Sequence, residues 1–410
     1  MPHDPADHRP NLTVLLGAGA SMPVGLPSTT SLTATVIEEL LKASDRHGDA
    51  AAHRAKVEVL LAAARRYYGP ALSFEHFLEL LESAHALNLG WRYGRTVAEA
   101  CLSVPEPSIA NIFEGDFITN CIHSLSSTIL YRIRDASNAV QQSANWATYQ
   151  SFWAQLAASF DLTIGTLNYD TSLEQSLGLG PETMDLMPID GENVWRLDVG
   201  QLGRHRRGHR ILHLHGGIHF GDREYGKDAN RFSFEAEFHE LYWHRTPADA
   251  FKTGWGHSAP NSQSGRPLQI RRIVTGLHKP DKLLVEPLAS YYQELGRQII
   301  QCERLLVVGY GFNDAHINAL LSRMNRAHGD HRRICVIDVV DPVEEHGSDD
   351  RHGMLETMHR WAEQRCLVHP DKQPYPFVSK NGHVKLFWRG LLEAAESADE
   401  ITAFLRAERM

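Results

Sequence analysis

Asn168 and Asp170 stand in Gly165-Thr-Leu-Asn168-Tyr-Asp170, at the end of an apolar run. An Asn carboxamide both donates and accepts, so it can hold a sugar hydroxyl or a water molecule. His215 closes Leu212-His-Leu-His215-Gly216-Gly217 in the same way, and an imidazole there can take a proton from a hydroxyl near neutral pH. Two small-residue turns complete the set. Gly17-Ala18-Gly19-Ala-Ser21 follows residues 12–16, and Gly309-Tyr310-Gly311-Phe312-Asn313-Asp314 follows residues 305–308. Glycines in such turns let backbone N–H groups approach a pyrophosphate that a Cβ would hold off. Asp338 ends a fifth apolar run, Cys335-Val-Ile-Asp338, where a carboxylate can accept from a ribose hydroxyl.

Polar residues that each follow an apolar run imply strands of a parallel sheet whose carboxyl edge carries one composite site. Strands are expected at 12–16, 161–164, 211–214, 305–308, 333–339 and 384–388. Helices are expected near 32–41, 146–160, 290–302 and 315–324, from apolar residues at helical spacing. Residues 178–202 and 216–270 read mostly as loop. The fold class is therefore α/β, a Rossmann-like parallel sheet with a large helical insertion. The expected domains are 1–33 with 134–345 as the sheet domain, 34–133 as the helical insertion, and 346–410 as a C-terminal α/β extension packing on the core.

The same residues also have plainer roles. Asp170 and Asp314 suit helix caps. His213 suits a satisfied core histidine. With His215 and His219 it makes a His-rich stretch, but no carboxylate or Cys completes a familiar metal spacing. Met22 stands where a full dinucleotide fingerprint has its third glycine.

The chain has 410 residues, 42% hydrophobic and 22% charged, which suits a globular protein with a sizeable core. A net charge of −9 argues against nucleic acid as a direct ligand. Arg204-His-Arg-Arg207-Gly-His-Arg210 is a basic exception that reads as a solvated loop. The five cysteines, Cys101, Cys121, Cys302, Cys335 and Cys366, form no Cys-x-x-Cys pair. No structural metal is expected. No apolar run approaches membrane-spanning length and no signal segment opens the chain, so a cytoplasmic protein is expected.

In sequence order these motifs resemble those of sirtuins. Gly17-Ala-Gly19-Ala-Ser21 with Gly25-Leu-Pro27-Ser is similar to the sirtuin first loop. Thr166-Leu-Asn168-Tyr-Asp170 resembles its Thr-Gln-Asn-Ile-Asp, and His215-Gly216 resembles its catalytic His-Gly. Gly309-Tyr-Gly311-Phe and Cys335-Val-Ile-Asp338 match its later nucleotide loop and ribose strand. No cysteine lies between Cys121 and Cys302, so the sirtuin four-cysteine zinc module has no place here. Ser28-Thr-Thr30 stands where Asp-Phe-Arg is usual. Val274-Thr-Gly276-Leu-His-Lys-Pro280 before Gly309-Tyr-Gly-Phe-Asn-Asp314-Ala-His-Ile is similar to the bacterial sirtuin-like proteins of antiphage defence.

That resemblance implies an NAD+ hydrolase, with NAD as substrate and no zinc. It implies that Asn168 positions water or ribose and that His215 is the base, acting through a ribose hydroxyl. Asp170 would hold the nicotinamide amide or order its loop. Gly17, Ala18, Gly19 and Ser21 would bind phosphates. Gly309, Tyr310, Gly311, Phe312 and Asp338 would hold the adenosine half. It also implies a partner such as a HerA-like ATPase, and the helical insertion, which chemistry on NAD does not require, leads to the expectation of a homo-oligomer. Leu78, Leu81 and Trp91 are candidates for a subunit face or for the core of the insertion. The alternatives are a transferase or deacylase on the same fold, and a catalytically silent NAD or ADP-ribose sensor gating a partner.

Overall fold

A computed structural model gives the protein's structure at residues 9–44, 50–89, 117–189, 193–204, 207–221, 240–252, 258–261, 267–269, 272–276, 279–339, 352–363 and 375–407. The chain forms two compact units. One comprises Met1–Leu26, Ser137–Gly216 and Glu286–Met410; the other comprises Pro27–Ala136 and Gly217–Val285.

The first unit is built on a seven-stranded sheet. Its strands are β1 (Asn11–Leu16), β2 (Asp161–Thr166), β3 (Arg210–His213), β4 (Arg304–Val308), β5 (Arg333–Ile337), β6 (Phe377–Val378) and β7 (Val384–Phe387). They lie in the order β6-β7-β5-β4-β1-β2-β3. Every neighbouring pair is parallel except β6–β7. From β1 the chain steps outward to β2 and β3, then returns to the other side of β1 for β4 and β5. This is the Rossmann-like order, and its direction reverses between β1 and β4, where such sheets open a ligand crevice. The apolar runs are continuous because both faces of a parallel sheet are covered. Leu12, Val14, Leu15, Leu305, Leu306 and Val307 are all fully buried.

The covering helices are amphipathic at the expected spacing. Trp146–Ser159 buries Tyr149, Phe152, Trp153 and Leu156, one stripe at i, i+3, i+4 and i+7. Leu288–Gln301 buries Leu288, Tyr291, Leu295 and Ile299. An ion network pins this second helix to the start of β3. Arg210 lies 3.0 Å from Asp185 and 2.5 Å from Glu294, and Tyr291 donates to the Met184 carbonyl at 2.5 Å. Burial alone would raise the Glu294 carboxyl, but hydrogen bonds from Arg297 and Gln298 and the Arg210 charge hold it below its usual range. Arg210 is thus a buried structural cation, not the end of a solvated basic loop as the sequence suggested.

The second unit holds the helices Thr29–Ser44, Ala50–Tyr68 and Phe74–Leu89, with most of Phe117–Ala139. Ser28 caps the first of these, its Oγ accepting from the Ser31 N–H at 3.1 Å. Leu78 and Leu81 are fully buried in this unit, so they are core and not a free face; Trp91 lies outside the described residues.

Four features differ from the sequence reading. Residues 217–285 group with the helical unit, so that unit is not a single insertion at 34–133. The stretch after 346 is not an extension laid on the core, because β7 pairs in register with β5 inside the main sheet. The loop-like 178–202 contains a short hairpin, Leu186–Pro188 with Val194–Leu197. The helix expected at 315–324 ends at Leu321, and another starts at Arg323.

Candidate functional site

The parallel register levels the strand ends. Leu16 pairs with Val308 on one side and with Thr166 on the other. Val308 pairs with Ile337, and Thr166 with His213. Five strands therefore finish in one row. Gly17, Leu167, Leu214, Gly309 and Asp338 stand one residue beyond it, and Ala18, Asn168, His215 and Tyr310 stand two beyond.

The two glycine turns touch each other. Gly17 N–H donates to the Val308 carbonyl and Gly19 N–H to the Gly309 carbonyl, each at 3.0 Å. Gly309 has φ +61°, and a Cβ there would lie 2.1 Å from Ala20 N. A Cβ on Gly17 would lie 2.4 Å from the Gly309 oxygen. Both positions need glycine because two backbones cross at contact distance. The N–H groups of Gly19, Ala20 and Ser21 are all committed to backbone carbonyls. Ala18 is the exposed member of the first turn, and Gly311 and Asn313 are the exposed members of the second.

Ser21 turns inward and is buried. Its Oγ donates to Asp170 Oδ1 at 3.2 Å and accepts from Asn168 Nδ2 at 3.2 Å. A serine hydroxyl has one proton, and giving it to the carboxylate obliges Asn168 to present its NH2. The carboxamide is thereby oriented, and Asn168 Oδ1 is buried with no hydrogen-bond partner among the described residues. Such an oxygen is costly unless something else satisfies it. The Asn168 backbone N–H is held by Thr166 Oγ1 at 3.1 Å.

Asp170 also accepts from Ser172 N–H at 2.8 Å, the helix-entry role it shares with its contact to Ser21. Burial is the main force raising the Asp170 carboxyl above its ordinary range; the Ser172 and Ser21 bonds oppose it and the Glu174 charge adds to it. Tyr149 is buried, and burial together with the Asp170 charge pushes its phenol up.

His213 and His215 part company. His213 Nε2 lies 2.6 Å from Glu174 Oε1, a buried pair inside the unit. His215, past the row, has its Nε2 3.3 Å from His316 Nε2. His219 belongs to the second unit, where its Nδ1 lies 2.8 Å from the His244 carbonyl of that same unit, so its ring has its own structural contact.

In the later turn, Tyr310 and Phe312 send their rings into the core. Tyr310 hydroxyl donates to the Asp314 carbonyl at 3.2 Å and lies 3.0 Å from Asn318 Oδ1. Phe312 has φ +59°, is held against Trp361 with ring centroids 5.8 Å apart, and accepts from Asn318 Nδ2 at 2.6 Å. These two residues can meet a ligand through their backbone and not through their buried rings. Asp314 occupies the N-cap position of helix Ala315–Leu321 but makes no side-chain cap bond, contrary to the expected capping role. Asp338 accepts from the Val339 N–H at 2.8 Å. Sequence reasoning missed Glu174, Tyr149 and His316. Glu174, four residues after Asp170 on a helix entry, carried a spacing signal; His316 carried none.

In unit two, Val274 and Thr275 of the 274–280 motif are buried, and Lys282 binds the Thr275 carbonyl at 2.5 Å and Glu82 at 2.8 Å. That part of the motif has a structural role. Cys121, Cys302 and Cys335 are buried and free. Among the described residues no helix is long and apolar enough to cross a membrane.

Sheet order and level strand ends place the Asn–Ser–Asp network at the carboxyl edge of the sheet, where open α/β sheets bind ligands. Residues 162–359 match the family model for a SIR2-like domain. The matched stretch is Sir2-like and carries Asn168, Asp170, His215, the Gly309 turn and Asp338, while the Gly17–Ser21 turn lies before it. No curated protein matches the chain. A SIR2-like domain fits an NAD-utilising activity.

Proposed function

We propose that the protein is an NAD+ hydrolase that cleaves the nicotinamide–ribose bond. The observation that carries this is the Asn168 carboxamide oxygen, buried and without a hydrogen-bond partner among the described residues, standing as far past β2 as His215 stands past adjacent β3. Asn168 Oδ1 accepts a hydrogen bond from water or a ribose hydroxyl. The C1′–N bond breaks, and its electron pair leaves with nicotinamide. Water forms the new C1′–O bond, and its proton passes through a ribose hydroxyl to His215. Burial of the Ser21–Asn168–Asp170 network strengthens each of these polar contacts. The exposed Ala18 edge of the first turn meets the phosphate region, while Gly17, Gly19 and Ser21, whose N–H groups are spent on backbone carbonyls, hold that edge in place. Gly309, Tyr310, Gly311, Phe312 and Asp338 hold the adenosine half. We further propose cytoplasmic NAD depletion in antiphage defence, by a homo-oligomer with a partner such as a HerA-like ATPase; the motif resemblance supports this reading.

The test is free nicotinamide from purified protein and NAD. Release without an acceptor, lost in Asn168→Ala at unchanged melting temperature, supports a hydrolase. Release only with an added acceptor makes the protein a transferase. NAD binding without release, with and without the partner, makes it a sensor.

A further inference from the structure

His215 comes from the end of β3, and His316 from the helix after β4, 101 residues later. Their Nε2 atoms face each other at 3.3 Å, with ring centroids 5.5 Å apart. An Asp314 carboxylate oxygen joins them, and the three ligand atoms all lie within 4.8 Å of one another. In a tetrahedral site with metal–nitrogen bonds of about 2.0–2.1 Å, two ligand nitrogens stand about 3.3–3.4 Å apart. The histidine pair already has that edge length.

The surroundings hold the ligands in place. Tyr292 hydroxyl donates to the His316 carbonyl at 2.9 Å. The Asp314 carbonyl accepts from Tyr310 hydroxyl at 3.2 Å and from Asn318 N–H at 3.0 Å. His215 is buried while Asp314 and His316 are half-buried, which leaves an ion a way in. Two imidazoles and one carboxylate suit zinc and its borderline neighbours; magnesium and calcium prefer all-oxygen shells.

We propose that His215, Asp314 and His316 bind a divalent d-block cation of the zinc type, with a fourth position open. The bound ion takes the Nε2 lone pair that His215 needs as a base, so metal occupancy silences the site. The silencing, though not the binding, rests on the hydrolase reading.

Cobalt(II) is the probe, because tetrahedral cobalt absorbs visibly. Metal-free protein should develop these bands at one equivalent, and zinc should displace them. Asp314→Asn and His316→Ala should each weaken binding at least tenfold while melting normally. Nicotinamide release should fall with the midpoint of the spectral titration and return with a chelator. In His316→Ala the zinc midpoint, read against that variant's own zinc-free rate, should rise at least tenfold. Absence of bands in the wild type overturns the proposal, as do bands of unchanged midpoint in either variant. Release that persists at cobalt saturation overturns the silencing. A protein that releases no nicotinamide with or without metal defeats the hydrolase reading, while the cobalt titration still confirms or overturns the metal site.

Discussion

The turns after β1 and β4 share a Gly-x-Gly pattern and end level in adjacent strands, yet they are used in opposite senses. The β1 turn folds a polar side chain inward, so Ser21 organises Asn168 and Asp170. The β4 turn folds two aromatic rings inward and leaves Asp314 and His316 to meet His215. The glycines do not distinguish the two turns, because Gly17, Gly19 and Gly309 serve their mutual contact. A glycine-rich strand end therefore marks a close backbone approach; the residues after it decide what the site is made of.

The largest effect should come from breaking that contact. Gly309→Ala puts a Cβ 2.1 Å from a backbone nitrogen at φ +61°. A loss of about 4 kcal/mol or more is expected in urea unfolding, the size of a severe backbone clash. Gly311→Ala is its contrast. That residue is exposed, and the nearest atom, Asn313 Nδ2, is 3.4 Å away, so the change should stay within about 0.5 kcal/mol. Equal losses would mean that the two glycines of one turn are not distinguished as described.

Next comes the pair of histidines at the end of β3, His213 within it and His215 just past it. His213→Ala leaves Glu174 as a buried carboxylate and should cost about 3 kcal/mol. His215→Ala should melt near the wild type and slow nicotinamide release by about 10²–10⁴. The reverse pattern, activity lost with His213 and kept without His215, would exchange their roles.

A smaller effect tests the inward-facing network by pH. Burial raises the folded carboxyl of Asp170. Between the unfolded value of about 3.9 and the raised one, the folded state binds more protons than the unfolded chain. The carboxyl's contribution to stability therefore falls as pH rises through that window. Asp170→Asn lacks this loss, so its stability relative to wild type should climb above pH ~4 and then level off. A pH-independent difference would show that the carboxyl is not raised. A modest effect is expected for Tyr310→Phe, which removes the hydroxyl contacts to Asp314 and Asn318 and should cost about 0.5–1.5 kcal/mol.

Much of the sheet was legible in the sequence. Strands of a parallel sheet are buried on both faces and appear as unbroken apolar runs, so β1, β2, β3, β4, β5 and β7 lay close to where the pattern put them. β6 was missed because two residues carry no periodicity. Asn168, Asp170, His215 and the glycine turns stood out because they interrupt such runs.

What those residues touch was a different matter. Whether His213 or His215 lies in the buried pair depends on where β3 stops relative to β2, and register is a property of two strands. The clash that makes Gly309 necessary comes from Ala20, and the imidazole facing His215 comes from a helix 101 residues later. Local pattern reports burial and chain direction, which short stretches of sequence determine by themselves. Contacts across strand ends follow from strand order and the levelling of five termini in one row, and only the assembled sheet decides them.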